Sequence, residues 1–237
     1  MRVAALYDVH GNLPALVAVL AEVETENVDA VVVGGDVLWG PFQSECLAAL
    51  REHDARFVAG NCEREVLAAS DESSAWCRAQ LTADELDFVS RWPATVELAV
   101  DGLGSAVFCH ATPRSDDEIL TRTTPETDVA AAFSGAAADV VVCGHTHIQY
   151  DRRISGAPRL VNAGSVGLPY QGEPGAFWAL VGPDVELRRT SYDVDTALAS
   201  LATSGFPSAA EIFRDSVSGT AIAESATAYF KSKRRTV

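Results

Sequence analysis

The sequence predicts an α/β protein, and two observations carry that reading. The first third repeats a short apolar run, a polar turn and a helix-spaced apolar pattern three times. The second half is rich in short apolar runs with only one helix-sized gap, which predicts a second sheet packed on the first.

The elements follow in order. Residues 2–7 are a buried strand. It ends in Asp8-Val9-His10-Gly11-Asn12, where Asn12 caps a helix with Pro14 in its first turn. Leu13, Leu16, Val17, Leu20 and Val23 then recur at helical spacing. Residues 29–33 are a second strand, broken by Gly34-Gly35-Asp36, with a helix over 44–52. Residues 56–59 are a third strand, ending in Gly60-Asn61-Cys62-Glu63. Ligand groups in such folds gather beyond the carboxyl ends of the strands, where these turns lie. Thr82-Ala83-Asp84-Glu85 is a capping box for a helix that stops near Trp92-Pro93. Strands follow over 95–100, 105–109, 140–143, 149–153, 159–161, 177–181 and 185–189, interrupted only by residues 115–135. Ser208-Ala209-Ala210-Glu211 caps a late helix after Pro207. One domain over residues 1–237 is the simplest organisation, and the loops over 70–80 and 112–135 are candidates for a small cap.

Composition bounds the function. The 237 residues hold 33 Asp and Glu against 18 Lys and Arg, a net charge of −15, with 48% hydrophobic residues. This is a globular composition, and its acidity argues against polymeric nucleic acid or an anionic membrane as partner. No run approaches the ~18 apolar residues of a membrane span, and the N-terminal run is too short for a signal peptide. Five cysteines without a Cys-x-x-Cys pair point to reduced thiols in a cytoplasm and against a thiol-redox protein. The basic tail, Lys231, Lys233, Arg234 and Arg235, reads as a solvated end before it reads as a docking patch.

Four of the five histidines, His10, His110, His145 and His147, stand where an apolar run ends. Asp8 and His10 are two apart, as are His145 and His147, and in extended chain such residues point the same way. Asp36 ends the second strand, Asn61 the third, and His110 follows Val107-Phe108-Cys109. Imidazole, carboxylate and amide suit Mn, Fe, Zn or Ni rather than a structural zinc. Seven such ligands are too many for one catalytic ion with an open position, and suit two ions ~3.5–4 Å apart that share a carboxylate. Singly, each piece is weak: Gly34-Gly35-Asp36 alone is a plain turn, and a lone histidine at a strand end is usually a core or turn residue.

In combination, Asp8-Val9-His10-Gly11-Asn12, Gly34-Gly35-Asp36, Gly60-Asn61-Cys62-Glu63, His110 and Gly144-His145-Thr146-His147 resemble the five blocks of the calcineurin-like metallophosphoesterases. His110-Ala111-Thr112-Pro113 and Asn162-Ala163-Gly164-Ser165-Val166-Gly167 resemble more closely the small prokaryotic phosphoesterases and relatives of diadenosine tetraphosphate hydrolases. The resemblance implies a four-layer α/β/β/α sandwich of two mixed sheets flanked by helices. It implies Asp8, His10 and His147 on a first metal, Asn61, His110 and His145 on a second, and Asp36 bridging. It also implies attack on phosphorus by a hydroxide between two divalent ions, manganese favoured, on a small phosphorylated substrate. Phosphodiesters or dinucleoside polyphosphates, hence nucleotides, are favoured. A phosphomonoesterase or protein phosphatase of the same fold, and a non-catalytic scaffold, are the rival readings; scaffolds typically lose ligands, and all seven stand here. Monoester against diester, metal identity and oligomeric state stay open.

Cys62 departs from the histidine that many relatives carry. A thiol is a weak donor, so leaving groups that need protonation are disfavoured. The bland alternative is that Cys62 starts a helix and packs. Glu63 is either a carboxylate that orients a ligand or a solvated first-turn residue. Arg64 and Arg114 are candidate phosphate clamps, with a surface arginine as the alternative for each. Cys109 and Cys143 are small buried residues, and Trp76 and Tyr170 either stack a base or pack.

Overall fold

In β1 (Val3–Leu6) alternate residues serve two different cores, and that alternation organises the molecule. The computed structural model describes residues 1–233. In chain order, β1 leads through α1 (Leu13–Val23) to β2 (Ala30–Val33), α2 (Gln43–Glu52) and β3 (Arg56–Phe57). Helices α3 (Asn61–Ala68), α4 (Glu72–Gln80) and α5 (Ala83–Val89) follow. Strands β4 (Thr95–Val100) and β5 (Gly104–Cys109), helix α6 (Glu126–Ala132) and strands β6 (Val140–Cys143), β7 (Tyr150–Arg152) and β8 (Arg159–Asn162) form the centre. The chain closes with β9 (Ala176–Val181), β10 (Val185–Thr190), α7 (Val194–Ala202), α8 (Ala209–Val217) and α9 (Ala223–Lys233).

Two mixed five-stranded sheets result, ordered β10-β9-β1-β2-β3 and β4-β5-β6-β8-β7. β1 runs parallel to β2 (Ala5 opposite Val32) and antiparallel to β9 (Ala4 opposite Leu180). β6 lies between β5 and β8, parallel to both. Strand side chains alternate between faces. Val3, Ala5 and Tyr7 therefore meet Ala106, Phe108, Val140 and Val142 of the second sheet in an inter-sheet core. Ala4 and Leu6 face Leu16, Leu47, Leu201 and Phe213 from α1, α2, α7 and α8. On the far side Val107, Val141 and Leu160 pack against Val129 and Phe133 of the α6 segment. This is the four-layer α/β/β/α arrangement that the resemblance implies.

Some expectations need correction. Residues 72–80 are not loop but α4, capped by Asp71, whose carboxylate accepts the Ser74 N–H at 2.9 Å. The helix begun by Thr82 ends at Val89, so that Trp92 turns back to stack on Phe57 at 4.5 Å. Ser208 does not cap α8: its φ is +54° and its hydroxyl makes no cap hydrogen bond. The sequence reading missed α7, which is capped by Asp193 through Thr196, and α9, which takes in the first part of the basic tail. Arg234 and Arg235 of that tail lie outside the described residues. Among the described residues no helix is long and apolar enough to cross a membrane, and all five cysteines are free and buried.

Candidate metal centre

The turns after β1, β2, β5 and β6 and the start of α3 meet at one point, and they carry all seven sequence-assigned ligands. Their backbone is not extended. Asp8, His10, Asp36, His145 and His147 have φ of +53°, +47°, +58°, +65° and +56°. The i, i+2 pairs converge because both members are left-handed, not because they lie in strand; the spacing was informative for a reason other than the one inferred. Such conformations in non-glycine residues cost about 1–3 kcal/mol each and persist only where the surroundings hold them. Here the turns brace one another: Asp8 N–H donates to the Gly35 carbonyl (3.1 Å) and His10 N–H to that of Asp36 (2.9 Å). Gly35 is required at φ +91°, since a Cβ there would stand 2.6 Å from the Gly60 nitrogen and 2.9 Å from His110 Nδ1.

Backbone carbonyls orient three of the imidazoles. The Nδ1 of His10 faces the Trp39 oxygen (3.1 Å), that of His110 the Gly34 oxygen (2.8 Å) and that of His147 the Leu168 oxygen (2.6 Å). A carbonyl accepts only, so each Nδ1 carries the hydrogen and each Nε2 points inward with its lone pair free for a proton or a metal. His147 Nε2 lies 3.3 Å from Asp8 Oδ1 and 3.2 Å from His10 Nε2. His110 Nε2 lies 3.3 Å from Asp36 Oδ2 and 3.2 Å from Asn61 Oδ1. Asp36 Oδ2 is also 3.8 Å from His10 Nε2, so this carboxylate stands between the two groups. Asp8 Oδ1 is buried and has no hydrogen-bond partner, although three imidazole nitrogens face it at 3.3–4.0 Å. An orphaned carboxylate oxygen ringed by oriented imidazoles fits a divalent cation bound through nitrogen and oxygen. Asp8, His10 and His147 form one such tight grouping, and Asp8, Asp36 and His110 another. His145 stands at the edge: its ring meets that of His110 edge-on at 5.2 Å, and its backbone N–H donates to Asp8 Oδ2 (2.9 Å).

Electrostatics divide the histidines. Burial and the neighbouring His147 bring His10 down to about 4, and burial with His110 does the same to His145. Burial also opposes charge on His110, but Asp36 and Asp8 beside it prevail and push it up to about 10. His147 is raised, with Asp8 overcoming burial. Asp36 is held well below the carboxylate range, since the His110 and His10 rings outweigh its burial.

A supporting ring holds the ligands. Glu63 is buried and accepts four backbone N–H groups: Asp36 and Gly60 at 2.8 Å, Val37 at 2.7 Å and Leu38 at 3.1 Å. It is the anchor of the Asp36 turn, which resolves the even choice left by the sequence. Asn162 donates to the Gly144 oxygen (2.5 Å) and accepts the Gly164 N–H (2.9 Å). Ser165, to which the sequence reading gave no role of its own, donates to the Asp8 carbonyl (2.7 Å) and accepts the Leu168 N–H (2.8 Å).

The candidate substrate contacts are arranged differently. Cys62 is buried beside the ligands: its N–H donates to Asp36 Oδ1 (2.8 Å), and its sulfur shares a tight group with His10 and Asp36. Arg64 is half-exposed and forks onto Asp116 (2.7 and 3.0 Å). Arg114 is tied to Glu118 (2.5 Å) and the Ala131 carbonyl (3.0 Å). Both arginines are thus engaged by carboxylates or carbonyls. Trp76 packs edge-on to Phe206 at 5.5 Å, whereas Tyr170 lies flat on His147 at 4.9 Å. Phe230 of α9 comes within 6.3 Å of the His145 ring; the sequence held no signal for it beyond an aromatic pair beside a basic run.

The sequence was compared with known proteins. Residues 1–181 match the calcineurin-like phosphoesterase superfamily domain. An uncharacterised protein of Methanocaldococcus jannaschii is 25% identical over 232 residues, covering 86% of this chain and 93% of that one. The crystal structure of a metallophosphoesterase from Sphaerobacter thermophilus superposes with a TM-score of 0.73 at 25% identity, over 92% of this chain and 100% of that one. A hypothetical protein from Pyrococcus horikoshii OT3 shares the fold with a TM-score of 0.79 at 18% identity, over 92% of this chain and 98% of that one.

Proposed function

Because this chain belongs to the calcineurin-like phosphoesterase superfamily, and is a metal-dependent phosphoesterase, we propose that it hydrolyses a small phosphodiester or a dinucleoside polyphosphate at a two-metal centre. Asp8, His10 and His147 would hold one divalent ion and Asn61, His110 and His145 the other, manganese being favoured. The observation that carries this reading is the position of Asp36, whose Oδ2 lies 3.8 Å from His10 Nε2 and 3.3 Å from His110 Nε2, as a shared ligand requires. When bound, two such cations lower the pKa of water and neutralise phosphate oxygens.

The chain's own residues bear on the leaving group. Burial and the Asp36 and Glu63 carboxylates push the Cys62 thiol up, so at neutral pH it stays protonated, a weak donor where an imidazole would be a competent acid. That favours leaving groups needing little protonation, such as a nucleotide phosphate or an aryl oxide. Because Arg64 and Arg114 are paired with carboxylates, phosphate charge falls to the metal centre rather than to an arginine clamp. The acidic surface, with a net charge of −15, favours a small substrate over polymeric nucleic acid.

The test is a panel of aryl mono- and diesters, cyclic nucleotides and diadenosine polyphosphates with Mn²⁺. Diesters or anhydrides should turn over faster than monoesters, and Asp36→Asn should abolish turnover. Faster monoester hydrolysis would reverse the substrate assignment. Absence of hydrolysis with any divalent ion, in a protein that binds two, would favour a scaffold.

A further inference from the structure

Helix α9 lies beyond the residues matched by the family domain, yet it reaches the metal centre. Its root is tied to the loop that follows Tyr170: Gly172 N–H donates to the Ala221 carbonyl (3.0 Å), and Gly172 lies against Ile222. Arg122 pairs with Glu224 at 2.7 Å. Ala223 and Thr227 are buried, and Phe230 continues that face at helical spacing. The Phe230 ring then stands 6.3 Å from His145 and 6.2 Å from Tyr170, and Tyr170 in turn lies parallel to His147 at 4.9 Å. Tyr170 is placed by its own backbone, since its N–H donates to the His147 carbonyl (3.1 Å). Tyr229, 58% exposed, extends the aromatic surface outward, with the Lys233 ammonium 5.6 Å from its ring centre.

Folding alone does not account for this surface. A half-buried phenylalanine and an exposed tyrosine add little to a core already closed by α7 and α8. A partly exposed Phe230 and an exposed Tyr229 beside a phosphate-handling centre offer the ring surface that a planar ligand needs. Lys231 and Lys233 form no salt bridge among the described residues, unlike Arg64 and Arg114, so this helix carries unpaired positive charge, with Lys233 beside Tyr229, on an acidic protein.

We propose that α9 is the specificity wall of the site: Phe230, backed by Tyr170 and flanked by Tyr229, stacks the planar non-reacting part of the substrate, a nucleobase, and selects phosphoesters that carry one. For the reacting group this rests on the phosphodiester reading above; the wall itself is tested separately by binding. The full chain loaded with Mn²⁺ is titrated calorimetrically with AMP and with inorganic phosphate. In parallel, kcat/KM is compared for bis(p-nitrophenyl) phosphate and methyl p-nitrophenyl phosphate, which share a leaving group and differ in the retained arm. AMP should bind more tightly than phosphate. Phe230→Ala should reduce that advantage, and the aryl-over-methyl preference, by about tenfold, the scale of one stacked base, with phosphate affinity unchanged. Phe230→Leu, which keeps apolar volume but not the ring, should behave like Phe230→Ala. The proposal is overturned if wild type binds AMP no better than phosphate, if Phe230→Leu keeps the advantage, or if Phe230→Ala weakens both ligands equally. A protein that hydrolyses no ester but shows the Phe230-dependent AMP advantage retains the wall and loses the activity. Diester hydrolysis with a preference indifferent to Phe230 retains the activity and loses the wall.

Discussion

Replacing Asn162 by alanine should separate the cost of holding the ligand turns from the cost of losing core. The Asn162 side chain is fully buried at the end of β8, behind the turn that carries His145 and His147. Its Oδ1 accepts the Gly164 N–H at 2.9 Å, and its Nδ2 donates to the Gly144 oxygen at 2.5 Å and to the Thr146 hydroxyl at 3.2 Å. The Gly144 oxygen also accepts the Thr146 N–H (2.7 Å), so the variant leaves it partnered. Among the described residues the Gly164 N–H has no such second acceptor. A buried donor left unsatisfied costs about 1–3 kcal/mol, and the lost bond to Gly144 about 0.5–1.5 kcal/mol. A total near 3 kcal/mol should lower the urea midpoint by about 1–2 M at an ordinary slope. Because the freed turn holds two imidazoles in left-handed backbone, Mn²⁺ affinity should fall by about 10–100-fold. The control is Leu201→Ala in α7, a buried residue packed in the helix-covered core, which should cost about 2–5 kcal/mol and leave metal affinity alone. If Asn162→Ala loses stability as Leu201→Ala does but binds Mn²⁺ like wild type, Asn162 is a sheet residue and the positioning argument fails. If the midpoint does not move, the accounting of hydrogen bonds fails as well.

Two further outcomes follow from the same geometry. Cys62→His should raise alkyl diester hydrolysis relative to aryl by tenfold or more, since a general acid contributes typically ~10²–10⁴-fold; an unchanged ratio removes the leaving-group argument. The metal-free protein should also lose stability on both sides of neutrality. His110 is raised to about 10, so its contribution is complete below 6.5 and lost as pH rises towards 10. His10 and His145 are lowered to about 4, so theirs is present above 6.5 and lost as pH falls towards 4. Urea midpoints across that range check this, and a midpoint flat from pH 6.5 to 10 would contradict the alkaline limb.

The architecture was legible because apolar runs and turn residues agree with the strands they form. Asp8, Asp36, His110, His145 and His147 were legible because each closes such a run. The inference of extended chain at Asp8 and His10 failed, because sequence spacing reports which residues share a turn and not its φ. Glu63 could not be settled from sequence: first-turn carboxylates are usually solvated, and only the approach of the 36–38 backbone turns this one into a four-fold acceptor. Arg64 and Arg114 stood as candidate phosphate clamps or surface arginines, and the choice stayed open because their partners, Asp116 and Glu118, lie on a loop without periodicity. Phe230 escaped because α9 is mostly polar, with only Ala223, Thr227 and Phe230 marking its inner face.

The charge state of the centre ties these pieces together. Without cations, Asp36 faces the raised His110 at 3.3 Å and Asp8 the raised His147 at 3.3 Å. The Asp36 carboxylate is therefore balanced by a protonated His110, while Asp8 faces an imidazole whose proton affinity it raises. That arrangement carries no net positive charge to attract phosphate. A divalent cation taken up here must displace the His110 proton, and the two cations proposed above would outweigh the Asp8 and Asp36 carboxylates and leave the centre net positive. Metal uptake should therefore release protons near pH 7, seen as a calorimetric heat that varies with the ionisation enthalpy of the buffer, and should precede any affinity for inorganic phosphate. Phosphate binding of equal strength before and after metal loading would mean that the anion is recognised by some other cationic group, and the two-metal reading would lose its electrostatic basis.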